Sequence, residues 1–179
     1  MHQQGIPVAD SSTSDIASRF DFVTDWQALD PQEGKRVAAF WKHEGALVDD
    51  RQIADRLPQL VMHVRDGDAV AAVCTAVPMT PQQFGQPIYF YRSFIGRNWR
   101  TTSLILSLTR RAVDVLERYA AAHDFACIGV LLELEAERFR HKGRAPVWPS
   151  LPFVYVGRSP AGLETRVYYF KGAKLKNPS

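Results

Sequence analysis

The chain has 179 residues, 46% of them hydrophobic, which is enough for one filled core and too few for two ordinary domains. A net charge of +3, with lysines and arginines dispersed along the chain, argues against a nucleic-acid arm, and a small anionic ligand suits this balance as well as a polymer does. The first residues lack the basic start and apolar run of a signal peptide, and no stretch reaches the roughly 20 apolar residues that span a bilayer.

Residues 1–18 are polar, with Ser11-Ser12-Thr13-Ser14, and are expected to form a flexible lead-in. Phe20 to Trp26 alternates apolar and polar residues and predicts a first strand. Asp30-Pro31-Gln32-Glu33 has the form of a helix start, with Asp30 as cap, Pro31 where its missing N–H costs nothing, and Glu33 closing a capping box. Val37, Phe40 and Trp41 give that helix an apolar stripe. A short second helix is expected after Asp49-Asp50, burying Ile53 and Leu57 and stopping at Pro58.

From Leu60 the period becomes two. Leu60, Met62 and Val64 are expected on one face, Asp66-Gly67 as the turn, and Ala69 to Val77 as the return strand, closed by Pro78. After a proline-rich loop, Ile88 to Ile95 is an apolar strand that runs through the cationic turn Gly96-Arg97-Asn98-Trp99-Arg100-Thr101-Thr102 into an amphipathic helix. That helix carries Ile105, Leu108, Ala112, Val115, Leu116 and Tyr119 on one side. The first amides of such a helix are unpaired and face the loop with the positive end of the macrodipole behind them, an arrangement that favours an anion. Phe125 to Leu132 is almost unbroken apolar and follows a helix, so it is expected to run parallel to the strand before that helix. Glu133 to Gly143 predicts a further helix, and Pro152 to Gly157 with Thr165 to Lys171 a last strand pair. Residues 172–179 form a basic tail, which leaves residues 19–171 as one domain. Cys74 and Cys127 sit in apolar runs without metal-ligand spacing, as expected of buried, unpaired thiols in a reducing compartment; the expected location is cytoplasmic, and no metal is expected.

This order of strands and helices resembles the GNAT (Gcn5-related N-acetyltransferase) superfamily over residues 20–171. The resemblance implies an α/β fold with a mixed, mostly antiparallel sheet of about six or seven strands and helices on both faces. It also implies an N-acyltransferase that moves an acetyl or acyl group from acetyl-CoA or another acyl-CoA to a small amine or a protein or peptide acceptor. In the family, the loop after the fourth strand carries Gln/Arg-x-x-Gly-x-Gly/Ala, whose amides hold the pyrophosphate of coenzyme A. The equivalent run here is Arg97-Asn98-Trp99-Arg100-Thr101-Thr102: Arg97 matches, while Arg100 and Thr102 stand where the two glycines belong. An arginine keeps the main chain from close approach, although its side chain reaches phosphate directly.

By the same resemblance the acyl arm runs along the backbone of Ser93, Phe94 and Ile95, beside the turn residues Arg97 to Thr102, and Tyr91 and Glu133 flank the reacting centre as candidate catalytic residues. Many members place a tyrosine four residues before a Gly-Phe pair to protonate the departing thiolate; here that position is Phe139 and Gly143 precedes Arg144. Two alternatives follow: a catalytically degenerate GNAT-shaped binding protein, or an acyl carrier protein-dependent synthase. The latter rests on Phe40-Trp41, Tyr91-Arg92-Ser93-Phe94 and residues 137–143, which are similar to features of acyl-homoserine-lactone synthases. No nucleic-acid partner is expected, because the aromatic residues follow strand positions. The last strand pair, with Val167, Tyr168, Tyr169 and Phe170, offers an apolar edge for a homodimer. His63, a lone strand histidine facing away from Met62 and Val64, is expected to be partly exposed and without a role.

Overall fold

The structure is a computed structural model that describes residues 19–134, 146–148 and 151–176, the side chain of Thr102 excepted. The expected lead-in over residues 1–18, the end of the tail, and the helix expected through Gly143, with Phe139 and His141 in it, lie outside the described residues.

The Asp30 cap forms as the sequence predicts. Asp30, in extended backbone, accepts from the amides of Gln32 and Glu33 at 2.8 and 3.2 Å and opens α1 (Pro31–Glu44). Gly45, at φ 70°, closes that helix through its N–H on the Lys42 carbonyl. Glu33, by contrast, leaves the expected capping box and turns its carboxylate toward the sheet, to His63 and Arg65. Asp49 caps α2 (Asp50–Arg56), which buries Ile53 and passes into a 3₁₀ turn at Leu57–Gln59. The Thr101 hydroxyl accepts from the Leu104 amide and caps α3 (Thr102–Ala122).

Seven strands make one sheet in the order β1-β2-β3-β4-β5-β7-β6: β1 (Asp21–Thr24), β2 (Leu60–Asp66), β3 (Ala69–Met79), β4 (Ile88–Ile95), β5 (Gly129–Leu134), β6 (Val154–Arg158) and β7 (Glu164–Tyr169). Only β4 and β5 are parallel, as a strand–helix–strand crossover requires; every other pair is antiparallel. The sheet is therefore mixed and mostly antiparallel. α3 lies on one face, where Leu104, Leu108, Ala112 and Leu116 meet Val61, Met62, Cys74, Tyr91 and Val130. α1 and α2 cover the other face, where Val37, Phe40, Trp41 and Ile53 meet Leu60, Val70 and Val73. Gly129 begins β5 because only hydrogen fits there: a Cβ would stand 2.2 Å from the Tyr168 carbonyl oxygen.

Several expected boundaries shift for identifiable reasons. The hairpin turn is Gly67-Asp68, with Asp66 and Ala69 paired across it and Gly67 at φ 61°. A register shift between Leu60 and Met62 sends Leu60 to the α1/α2 face while Met62 and Val64 stay on the α3 face. β3 runs through Pro78, paired with Tyr89, to Met79. β5 keeps Glu133 and Leu134 in strand, where the sequence predicts the next helix, because β7 pairs with both. His63 is fully buried, its Nδ1 2.8 Å from Asp25 Oδ2, which corrects the expectation of an exposed, unpaired histidine. Its Nε2 lies 3.0 Å from Glu33 Oε2 but makes no hydrogen bond with it.

Cys74 and Cys127 are both free and buried. Burial pushes the Cys74 thiol well above its ordinary value of 9.0. As pH rises past that value the unfolded chain sheds a proton that the folded chain keeps, so stability is full below it and declines above it. The expected decline from Cys74 is about 1.4 kcal/mol per pH unit. Urea midpoints from pH 8 to 11 check this: Cys74→Ala is expected to flatten the alkaline slope, and an unchanged slope refutes the assignment.

Candidate functional site

β4 and β5 pair only over Tyr89–Tyr91 and Val130–Leu132. Beyond that they part: β4 continues to Ile95 along β3, and β5 to Leu134 along β7. The parting opens a cleft of about 770 Å³ that passes between the two faces. Trp41, Leu47, Arg56, Phe90, Arg92 and Phe94 line it on the α1/α2 side, and Tyr91, Ser93, Ile105 and Thr109 on the α3 side. Glu133 and Leu134 stand on its β5 wall.

The turn after β4 is fastened at two points. Glu44, at the end of α1, accepts from the Arg97 amide at 3.1 Å and lies 3.4 Å from Arg97 Nε, while Arg97 Nη2 donates to the Glu44 carbonyl at 3.2 Å. Trp99 Nε1 donates to Asp66 Oδ2 at 2.8 Å, the same oxygen that takes Arg19 Nη2, and these two bonds hold the Asp66 carboxyl below its ordinary range. Gly96 permits this packing, since a Cβ there would meet the Trp99 ring at 2.8 Å and Phe40 at 3.0 Å. Thr101 spends its hydroxyl on the helix cap. The amides of Thr102 and Ser103, orphans of the first helical turn, have no partner among the described residues.

Of the sequence-predicted site residues, the structure gathers Tyr91, Ser93, Phe94, Ile95, Arg100 and Glu133 along the cleft. It does not bring Arg97 or Trp99 there: Arg97 is committed to α1 and Trp99 to the tip of the β2–β3 hairpin. Asn98 also lies off the cleft lining. Arg100 Nε donates to the Ile95 carbonyl at 3.4 Å, so this carbonyl points into the gap, and by strand alternation the N–H and C=O of Ser93 point the same way.

Thr109 gives its proton to the Ile105 carbonyl at 2.8 Å, so the 3.2 Å contact with the Tyr91 hydroxyl requires Tyr91 to be the donor. Burial, foremost among several causes, pushes that phenol well above its ordinary value. Tyr91 thus stays protonated, with its proton aimed at α3. Sequence reasoning missed Arg56, Arg92 and Trp41 as lining residues, which three separate elements bring together.

No protein-family model matches the sequence, and no curated protein matches it. Solved structures do resemble the fold. An acetyltransferase of the GNAT family from Streptococcus pneumoniae superposes with a TM-score of 0.56 at 10% identity, over 85% of this chain and 99% of that one. For yncA from Salmonella typhimurium, a provisionally assigned acetyltransferase solved with its cofactor acetyl-CoA, the values are 0.59, 11%, 89% and 99%. FeeM, an N-acyl amino acid synthase from uncultured soil microbes, gives 0.53 at 9% identity over 85% and 91%. At these identities the likeness establishes the architecture: this chain has the fold of the GNAT acetyltransferases.

Proposed function

We propose that this chain, having the GNAT fold, is an N-acyltransferase that moves an acyl group from an acyl thioester, in the first instance an acyl-CoA, to an amine. The observation that carries the reading is the parting of β4 and β5 beyond Tyr91 and Leu132, with a main-chain edge at Ser93 and Ile95 that β5 does not pair and that ends near the start of α3. The residues present fit a diphosphate in part. The Thr102 and Ser103 amides and the exposed Arg100 are in place to meet it, whereas the glycine nest is absent and Arg97 is engaged elsewhere. The donor supplies an acyl carbon made electrophilic by a thiolate leaving group. Ser93 and Ile95 align its arm once Arg100 releases the Ile95 carbonyl, Glu133 takes the proton of the acceptor ammonium, and Tyr91 holds the α3 wall.

Acyl-CoA binding to the folded chain alone must raise its melting temperature; at 100 times Kd the stabilisation is about 2.7 kcal/mol. The expected result is a shift with acetyl-CoA or a longer acyl-CoA, together with free CoA thiol when amines are added. No shift with any acyl-CoA at high excess removes the CoA reading. The binding-protein alternative is favoured by the commitment of Arg97 to Glu44, and thiol release with any amine ends it. Acyl carrier protein as donor is separated by offering both thioesters side by side.

A further inference from the structure

We infer that the amine acceptor also carries a carboxylate: the α1/α2 side of the cleft is a zwitterion site, in which Glu133 meets the ammonium, and Arg92 with Arg56 the carboxylate, of a free amino acid with an apolar side chain. This inference rests on the acyl-transfer reading of the same cleft.

Strand alternation sets the faces. Tyr89, Tyr91 and Ile95 of β4 and Val130, Leu132 and Leu134 of β5 belong to the α3 side, which leaves Arg92 and Glu133 on the opposite one. The parallel register pairs Tyr91 with Leu132, so Arg92 and Glu133 are the next residues along, on the same face, at the point where the strands separate. In a continuous sheet these opposite charges would pair across the strands. Here no ion pair joins them, and among the described residues neither has another charged partner.

Arg92 is fixed by its guanidinium, which lies 4.4 Å from the centre of the Phe90 ring. Arg56, the last residue of α2, lines the same space, likewise without an acidic partner among the described residues. Burial, and then the charge of Arg92, hold its guanidinium below its ordinary value, so the two cations feel one another. Two guanidinium groups that line one cleft, without an acidic partner among the described residues, form a fork for a planar anion. Glu133 across the gap supplies the opposite charge, and Trp41, Leu47 and Phe94 provide an apolar wall. An α-amino acid presents a carboxylate, an ammonium and a side chain in that combination.

The chemistry balances. The ammonium loses one proton to Glu133, the nitrogen forms a C–N bond to the acyl carbon as the C–S bond breaks, and the second amine proton leaves with the thiol, giving an N-acyl amino acid and a free thiol.

The test offers the full chain, with acetyl-CoA and with a long acyl-CoA, phenylalanine, leucine, phenylalanine amide and phenethylamine, reading thiol release. The expected result is a kcat/KM for phenylalanine and leucine about 10- to 100-fold above that for the amide and the decarboxylated amine. Arg92→Gln and Arg56→Gln are expected to erase that preference by raising KM for the amino acids, with Arg92→Lys restoring part of the preference. Equal rates with and without the carboxylate, or transfer to the carboxylate-free amines alone, overturn the inference while leaving acyl transfer standing. Absence of transfer to every amine defeats both readings together. The acceptor series on the unsubstituted chain decides the question even if a variant fails to fold.

Discussion

Glu133→Gln is expected to lower kcat for acyl transfer by about 100- to 10,000-fold, the range for loss of a positioned general base. Glutamine preserves the size and hydrogen-bonding reach of the side chain while removing its capacity to take a proton, so the cleft keeps its shape. β5 holds its course through its register with β7, where Glu133 stands opposite Thr165, and that pairing is made by main chain and survives the substitution. The deficit is expected to narrow as pH rises toward the acceptor ammonium's own pKa, because solvent then removes the proton that Glu133 no longer takes. Melting temperature and acyl-CoA affinity are expected to stay put. Steady-state rates from pH 6 to 10 with one amine check this; a variant within twofold of the parent across that span would reduce Glu133 to a strand-end residue.

His63→Ala is expected to cost about 3 kcal/mol of stability, because it leaves the buried Asp25 carboxyl group without its hydrogen-bond partner. His63 has no exposed surface and Asp25 is 3% exposed, so the Asp25 carboxylate left behind has neither water nor its 2.8 Å imidazole. Glu33 loses the other side of the ring, which loosens the seat of α1 on β2. Chemical denaturation supplies the number, and a double-mutant cycle with Asp25→Asn assigns it, since removing both partners costs less than the sum of the two. A single-variant loss under 1 kcal/mol would show that the pair is inert.

Much of the site was legible in the strand–turn–helix run itself. The bounds of β4, the amphipathic helix after the turn and the parallel return of β5 all follow from periodicity and chain order. The bonds of Arg97 to Glu44 were not read from the sequence, although a signal existed: Glu44 ends a helix, where the dipole disfavours an acid, so it requires a cation or amide from elsewhere. His63 was misread because its partners lie 38 and 30 positions away in sequence, and no local pattern couples Asp25, Glu33 and His63.

By itself, the sequence determined most of the strand and helix segments among the described residues, because caps, periods of two and 3.6, and the crossover rule act over short range. The mixed sheet with helices on both faces followed from the order of those segments through its resemblance to the GNAT superfamily. Only the tertiary structure decided where β4 and β5 part and which charges meet in the gap. Arg56, Arg92 and Glu133 come from a helix and two strands, and their proximity depends on strand register and helix seating, which are properties of the packed chain.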